Sequence, residues 1–253
     1  MSAAGTHAPP LPPVVVLAGG LSTRLGAVTL ARPKCLVDVA GEPFVYHQLR
    51  QLRGQGVRRV LLCLGHLGGQ VVAAVGDGSA FHLSVDYAFD GPTLLGTAGA
   101  IRRALPALPR AFLVLYGDSY LRCDFPAVWA AFLARPDASA LMTVYRNDGL
   151  HDASNVEYRD GRVVAYDKAA PTAPMRHIDY GLGVFDRRAF DAAPADRPHD
   201  LSAVYHDALA SGRLAAFEVS ERFYEIGSHS GLSETRLYLD GAGKVNTTAD
   251  GRG

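Results

Sequence analysis

The chain has 253 residues, of which 48% are hydrophobic and 20% are charged, a balance that argues against disorder. Its 25 Lys and Arg residues match its 25 Asp and Glu residues, so the formal net charge is zero. That balance excludes a general nucleic-acid binder, which needs a basic surface. It leaves room for a local basic site that binds a small phosphorylated molecule.

The cysteines and the hydropathy pattern bear on where the protein works. Cys35, Cys63 and Cys123 are widely spaced and form no CxxC motif, so they indicate a reducing, cytoplasmic location rather than a disulfide framework. No segment approaches the ~18 uninterrupted apolar residues of a membrane helix. We therefore expect neither a membrane nor a nucleic acid among the partners.

Strand and helix signals alternate along the first half of the chain. The predicted strands are short apolar runs or alternating segments, at 14–18, 57–64, 82–89 and 111–116. The predicted helices have apolar residues at helical spacing, and they cover 43–56, 67–75 and 97–105. This alternation predicts an α/β fold with a mostly parallel sheet covered on both faces, in which ligands bind at the carboxyl ends of the strands.

The second half of the chain predicts a mixed extension of the sheet. An Asp-Gly turn between 155–158 and 162–167 predicts a hairpin. The remaining predicted elements are strands at 178–185 and 214–219 and helices at 201–210 and 228–239. Because no Pro- or Ser-rich linker interrupts the chain, we expect the following parts: a flexible lead-in at 1–12, one domain at 13–240 and a flexible tail at 241–253.

The segment 14–44 carries the strongest chemical signal. Gly19 and Gly20 follow the first apolar strand, and consecutive backbone N–H groups in such a loop can bind an anion. Arg24 can grip phosphate through its guanidinium, and Lys34 supplies a second cation. The alternative is an ordinary strand and turn with solvated basic residues. The loop matches neither GxxxxGK[ST] nor GxGxxG, so it is neither a Walker loop nor a dinucleotide fingerprint.

The spaced motif LAGGLSTRLG followed by RPKCLVDVAG resembles the signature of sugar-1-phosphate nucleotidyltransferases, and the likeness continues through LLGTAGAI, YGDSY, YDK, IDYGLGVF and FYEIGS. The resemblance implies a Rossmann-like three-layer αβα fold of the nucleotide-diphospho-sugar transferase (GT-A-like) type. It also implies that a sugar-phosphate oxygen attacks the α-phosphorus of an NTP and that pyrophosphate leaves without a covalent enzyme intermediate. The enzyme's main tasks are then to align two anionic substrates and to neutralise their charge.

Motif positions assign the binding roles that the resemblance implies. Arg24 and Lys34 would be the catalytic cations at the phosphates. Lys168 would bind the sugar phosphate and Asp179 the sugar, although the alternative for Asp179 is a core strand with a bulge. The nucleotide is expected to contact two loops, which contain Leu17, Ala18, Gly19, Gly20, Gly96, Thr97 and Ala98.

The resemblance also implies Mg²⁺ as the cofactor, held by two carboxylates. Asp118 matches the metal-binding aspartate, and carboxylates suit this hard cation; its alternative is a turn cap beside Gly117. Glu225 stands where the family has a second aspartate, so a structural role is its alternative. Ser22 replaces a loop glycine. These departures at Glu225 and Ser22 leave open a catalytically silent, regulatory nucleotide-sugar-binding protein.

The substrates are predicted from the branch that the motifs most resemble. LLGTAGAIRRA, GDSYL and FYEIGS look most like the compact heptose-1-phosphate guanylyltransferases. GTP and D-glycero-D-manno-heptose 1-phosphate are therefore the first prediction, with GDP-heptose as product. Uridylyl or other nucleotidyl transfer to a hexose or amino-sugar 1-phosphate is the alternative. The sequence leaves open whether the chain forms homo-oligomers.

Overall fold

Thirteen strands and six helices make up the part of the chain that the structure, a computed structural model, describes: residues 10–20, 26, 31–194 and 197–249, with side chains as far as residue 241. The strands are β1 (Val14–Leu17), β2 (Asp38–Val39), β3 (Glu42–Pro43), β4 (Arg59–Leu64), β5 (Ser84–Phe89), β6 (Ala111–Tyr116), β7 (Ser119–Tyr120), β8 (Ala140–Arg146), β9 (Val156–Arg159), β10 (Arg162–Tyr166), β11 (His177–Asp186), β12 (Leu214–Val219) and β13 (Tyr224–Glu225). The helices are α1 (Phe44–Gly54), α2 (Gly68–Val75), α3 (Gly96–Ala104), α4 (Phe125–Leu133), α5 (Leu201–Ala210) and α6 (His229–Ala249).

Nine of these strands form one mixed sheet. Its parallel half has the order β5–β4–β1–β6. The sheet continues through β11, which is antiparallel to both β6 and β8, and β12 pairs parallel with β8. The hairpin β9–β10 joins at the beginning of β11. The arrangement confirms the predicted α/β class with a mostly parallel, mixed central sheet.

Side chains of β1 alternate between two hydrophobic cores, one on each face of the sheet. Val14 and Val16 pack into the core that α1, α2 and α4 cover, whereas Val15 packs into the core under α3 and α5. All three valines are fully buried, as expected for a central strand covered on both faces. This gives the three-layer αβα, Rossmann-like arrangement that the family resemblance implies.

Every strand and helix that the sequence predicts is present, with small differences at the ends, but the sequence missed α4, β8 and the two-residue strands β2, β3, β7 and β13. One end differs more: the last helix continues to Ala249, past its predicted end at Leu239. Once a helix has begun, each added residue gains a hydrogen bond at low cost, and no proline follows Leu239 to stop it. Residues 1–9 and 250–253 lie outside the described residues, and 241–249 of the predicted tail belong to α6; the flexibility of the lead-in and of the tail stays a prediction.

A short antiparallel ribbon of β7 and β13 links the C-terminal part of the chain to the carboxyl edge of the parallel strands. It pairs Glu225 with Ser119, and the Ile226 N–H donates to the Asp118 carbonyl at 2.9 Å. The ribbon therefore brings Glu225 next to Asp118, although the two are far apart in sequence.

None of the helices in the described ranges combines the length and apolar character that a membrane crossing requires.

Candidate active site

A cleft of about 230 Å³ opens at the carboxyl ends of the parallel strands, where the fold predicts a ligand site. It gathers most of the predicted nucleotide contacts, and its walls consist of Leu17, Ala18, Gly19, Gly20, Lys34, Cys35, Cys63, Asp90, Leu94, Gly96, Thr97, Ala100, Tyr116, Gly117 and Asp118. Ala98 is not in the wall: it is buried, and its N–H donates to the His199 carbonyl at 2.9 Å. Arg24 and Ser22 lie outside the described residues, so their predicted roles stay predictions.

Lys34 and Asp118 meet in this cleft. Lys34 begins a short 3₁₀ turn after Pro33, and the buried side chains of the next two residues anchor that turn. Asp118 lies two residues past the end of β6, after Gly117. The Lys34 Nζ lies 2.9 Å from Asp118 Oδ2, with side chains 17% and 29% exposed, and the Ser119 hydroxyl lies 3.3 Å from the other carboxylate oxygen. The structure thus joins one predicted catalytic cation to one predicted metal ligand.

The Glu225 carboxylate faces the same place. A Cβ built on Gly227 would lie 2.6 Å from Glu225 Oε2, 3.3 Å from Asp118 Oδ2 and 3.4 Å from Lys34 Nζ. The three charged groups therefore converge on one point, and only a glycine leaves that point open. Two carboxylates beside each other form an oxygen-rich donor set that suits Mg²⁺, so these residues fit the cofactor that the sequence predicts.

Glu225 also has a structural partner. Its Oε2 accepts from the backbone N–H groups of Gly227 and Ser228, the latter at 3.1 Å, and its Oε1 accepts from the Ser228 hydroxyl. These bonds hold the turn that leads into α6. Oε2 already accepts two hydrogen bonds, whereas Oε1 accepts one and keeps a lone pair, so Glu225 can serve the fold and a metal at once.

Lys168 and Asp179, the predicted sugar-phosphate residues, form an ion pair beside the cleft. Lys168 Nζ lies 3.2 Å from Asp179 Oδ2 and 5.4 Å from the centre of the Tyr116 ring, which is part of the cleft wall. Burial by itself lowers the pKa of Lys168, but the Asp179 carboxylate together with the nearby Tyr116 and Tyr166 side chains outweighs burial, and the pKa is raised. The Asp179 side chain is only 2% exposed; its Oδ2 contacts Lys168 and the Tyr166 hydroxyl, and its Oδ1 accepts from the Gly181 N–H at 3.2 Å.

The start of α3 forms the side of the cleft where the base is expected. Gly96 has a φ of +70°, and a Cβ there would lie 2.6 Å from the His199 carbonyl oxygen, so this position requires glycine. The Thr97 hydroxyl lies 3.1 Å from Asp200 Oδ2 and accepts from the Leu201 N–H at 2.7 Å. Thr97 therefore ties α3 to the start of α5.

Asp90 is a cleft residue that the sequence analysis missed. It follows β5 directly, is only 6% exposed, and accepts a hydrogen bond from the Leu95 N–H at 3.2 Å. Burial raises its pKa, although the Leu95 N–H and the Arg103 guanidinium oppose the shift. The signal that could have found it is its position: like Asp118, it is an aspartate at the carboxyl end of a parallel strand.

Two thiols in the cleft wall are unsuited to nucleophilic catalysis. Burial raises the pKa of both Cys35 and Cys63 to about 12, so both stay protonated at neutral pH. This agrees with the expected direct transfer between substrates. The chemistry of the cleft then lies in its cations, its carboxylates and its backbone.

Comparisons with known proteins assign this cleft to a family. A family model described as the MobA-like NTP transferase domain matches residues 14–153. The chain is 28% identical over 242 residues to the N-acetylmuramate alpha-1-phosphate uridylyltransferase of Neisseria meningitidis serogroup B, covering 91% of this chain and 99% of that protein. It is 30% identical over 200 residues to the mannose-1-phosphate guanylyltransferase of Mycobacterium tuberculosis, covering 78% of this chain and 55% of that protein.

A solved structure extends the likeness to three dimensions. HddC from Yersinia pseudotuberculosis, complexed with GMP-PN, matches with a TM-score of 0.76 and 25% identity, covering 90% of this chain and 100% of that chain. The family model covers more than half of the chain, and the relatives catalyse the type of reaction that the motifs imply. The protein therefore belongs to the family of MobA-like NTP transferase domains, in which its relatives are sugar-1-phosphate nucleotidyltransferases.

Proposed function

We propose that the protein transfers GMP from GTP to D-glycero-D-manno-heptose 1-phosphate, releasing pyrophosphate and forming GDP-heptose. The observation that supports a guanine nucleotide is the buried Asp90 carboxylate in the cleft wall. Guanine presents two adjacent donors, N1–H and N2–H₂, and one carboxylate can accept from both. Uracil offers a single ring N–H, and this group lies between two carbonyl oxygens. Those oxygens carry partial negative charge and are repelled by a carboxylate. The similarity to HddC, solved with GMP-PN, supports the same choice.

In the proposed reaction a phosphate oxygen of the sugar 1-phosphate forms a bond to the α-phosphorus of the NTP. The bond from that phosphorus to the bridging oxygen breaks, and its electron pair leaves with pyrophosphate. Lys34, at the Asp118 turn, would contact the transferred phosphoryl group, and Lys168 would hold the sugar phosphate. Arg24 would bind the triphosphate of the NTP, as the sequence predicts. Fixed positive charge of this kind lowers the barrier because it stabilises the negative charge on the oxygens of the transferred group and of the leaving pyrophosphate.

We further propose that Asp118 and Glu225 hold Mg²⁺. Their carboxylates converge at Gly227, which supports a shared ligand. When bound, Mg²⁺ would supply positive charge at the transferred phosphate. Lys34 would then exchange its contact with Asp118 for a substrate phosphate, so that neither charge is left without a partner. The three cysteines are free thiols, which fits the proposed cytoplasmic location.

A second candidate is uridylyl transfer to an amino-sugar 1-phosphate. The observation that favours it is the uridylyltransferase of N. meningitidis, because this chain aligns with 99% of its length. The two candidates share the cleft and the phosphate chemistry. They differ in the base that Asp90 would contact and in the sugar, so substrate selection separates them.

The experiment that tests both is a substrate matrix. The purified protein with Mg²⁺ is mixed with each of ATP, CTP, GTP, UTP and dTTP against the 1-phosphates of heptose, mannose, glucose and amino sugars, and pyrophosphate release is measured. We expect the highest kcat/KM for GTP with the heptose. Highest activity with UTP and an amino sugar would favour the second candidate. Nucleotide binding without turnover for any pair would contradict an enzymatic function.

A further inference from the structure

Three glutamines, two on α1 and one directly after its last residue, point at the chain that follows β6. Gln48, Gln51 and Gln55 are three and four residues apart, the spacing that puts side chains on one helix face. The Gln51 amide donates to the Leu121 carbonyl at 2.6 Å, and the Gln55 amide donates to the Cys123 carbonyl at 3.0 Å. The row therefore holds the chain between β6 and α4 against α1.

Gln48 occupies a special position in this row. Its Nε2 donates to two carbonyls, that of Tyr116 at 2.9 Å and that of Ser119 at 2.8 Å. These carbonyls flank Gly117 and Asp118, so one amide group closes both ends of the turn that carries the Asp118 carboxylate. In the described part of the chain, the side-chain hydrogen bonds of Gln51 and Gln55 go to Leu121, Cys123 and Phe125, which lie beyond that turn.

Burial makes this contact costly to replace. Gln48 is 1% exposed, and its Oε1 has no hydrogen-bond partner among the described residues. An unpartnered buried amide oxygen opposes folding, and water has little access to take over the two N–H bonds. The unpartnered oxygen of Gln48 thus lowers the stability of the fold, while both N–H donors of its amide bind carbonyls of the turn.

We propose that Gln48 is a positioning residue of the active site, which fixes the turn so that the Asp118 carboxylate faces Lys34 and Glu225. The proposal rests on the proposed function, because it takes Asp118 as a metal ligand. Gln48 touches neither substrate nor metal and acts through the turn. Residues that orient metal ligands in this way change metal affinity by about 10–100-fold when they are lost.

The test compares Gln48→Leu with Gln51→Leu, a matched control. Both changes remove an amide on the same helix face, and the half-buried Gln51 also has a buried Oε1 without a partner in the described chain. Mg²⁺ binding to the substrate-free proteins is measured by calorimetry. Amide hydrogen exchange of residues 117–120 is measured in metal-free protein, and unfolding temperatures are recorded. Gln48→Met, close to glutamine in volume, is used if the leucine variant does not fold.

We expect the Gln48 variant to bind Mg²⁺ about 10–100-fold more weakly and to exchange faster at the turn. A high Mg²⁺ concentration should restore most of its kcat. The Gln51 variant should keep the Mg²⁺ affinity of the wild type, even if both lose similar stability. Equal Mg²⁺ affinity and equal exchange in the two variants would overturn the proposal.

Measurements on the wild-type protein distinguish a failure of the proposed role of Gln48 from a failure of the proposed function on which it rests. A wild type that neither binds Mg²⁺ nor releases pyrophosphate contradicts the proposed function, and with it the proposed role of Gln48. An active wild type whose Gln48 variant matches the Gln51 variant contradicts only the role of Gln48.

Discussion

Lys34 and Asp118, separated by 84 positions in the sequence, form an ion pair of 2.9 Å in the wall of the cleft. Each is a group that the proposed reaction uses, one for phosphate and one for metal. Their contact keeps both charges satisfied before the substrates bind. It also holds the Lys34 turn against the end of β6, so the cleft is partly organised in advance.

Replacing Asp118 tests the proposed metal site. We expect Asp118→Asn to lower turnover by about 100-fold or more, because an amide is a poor Mg²⁺ ligand in place of a carboxylate. Stability should change by no more than about 1 kcal/mol, because the ion pair is partly exposed to water. Pyrophosphate release and thermal unfolding measure the two effects.

The control for this change is Asp137→Asn, at an exposed aspartate that is not part of the cleft wall. It makes the same chemical substitution and should leave turnover at the wild-type rate. Wild-type turnover in the Asp118 variant would remove Asp118 from the metal site.

Glu225 combines a predicted metal ligand with an observed cap on the turn before α6, and two variants separate these roles. We expect Glu225→Asp, which keeps the charge, to stay active and Glu225→Gln to lose at least about 10-fold in turnover. Both variants keep an acceptor for the Gly227 and Ser228 N–H groups. Equal activity in the two would mark Glu225 as structural.

Much of the architecture was predictable because its signals are local. β1 and β6 are continuous apolar runs that end at glycine or aspartate, so their carboxyl ends could be read as the ligand edge. The pairing of Lys34 with Asp118 was different. It joins distant parts of the chain, and only the family resemblance indicated that both residues serve one site.

The missed features depend on three-dimensional contacts or lack periodicity. α4, with the sequence FPAVWAAFL, is apolar nearly all round and shows no polar face. The sequence features that could have indicated the start of α4 are the Asp124 N-cap and the proline in its first turn. The roles of Gln48 and of the Glu225 cap follow from the positions of backbone groups, which no spacing in the sequence reveals.

Gly227 keeps the meeting point of three charged groups open, and an added methyl group would fill it. We expect Gly227→Ala to lower turnover by about 10–100-fold, because a Cβ at 2.6 Å from Glu225 Oε2 must displace that carboxylate. Kinetics at saturating substrates measures the loss. Gly69→Ala is the control, since a Cβ there meets nothing within 4 Å. It lies in α2 and should add stability, up to about 1 kcal/mol, at unchanged turnover.

The ion pair between Lys168 and Asp179 predicts an effect on the sugar substrate. Asp179→Asn leaves the Lys168 ammonium without its carboxylate, so we expect a higher KM for the sugar 1-phosphate and little change in the KM for the NTP. The loss of stability should be about 1–2 kcal/mol, since Lys168 is 41% exposed and water compensates in part.

The pH dependence of this loss follows from the raised pKa of Lys168. A lysine whose pKa is higher in the folded state contributes stability below its ordinary pKa and loses it only as the pH rises through the raised value. The difference between wild type and variant should thus be constant from about pH 6 to pH 9. Asp160→Asn, in an exposed hairpin turn, is the control. An unchanged KM for the sugar 1-phosphate in the Asp179 variant would show that the Lys168–Asp179 pair does not contribute to binding of that substrate.

We expect the Asp90 carboxylate to lower the stability of the substrate-free protein and to contribute to recognition of the base. Burial raises its pKa, so its charged form at neutral pH opposes folding. A carboxyl whose pKa is higher in the folded state than in the unfolded state lowers stability as the pH rises between those two values, and the cost stays constant above them. Asp90→Asn removes the charge, and its Oδ1 can still accept from the Leu95 N–H. We therefore expect the substrate-free variant to be more heat-stable than the wild type at pH 7, with an advantage that shrinks on acidification toward about pH 4.

The same change should damage selection of the base. An asparagine offers guanine one acceptor and turns a donor toward the other N–H group, so the KM for GTP should rise by about 10–100-fold and the preference over UTP should fall. Asp86→Asn changes an aspartate of β5, four residues before Asp90, whose carboxylate is in an exposed pair with Arg59, and it should alter neither quantity. If the Asp90 variant keeps the GTP preference of the wild type, the base is read elsewhere. If it is also less stable at pH 7, the buried charge does not oppose folding, and both arguments from Asp90 fail together.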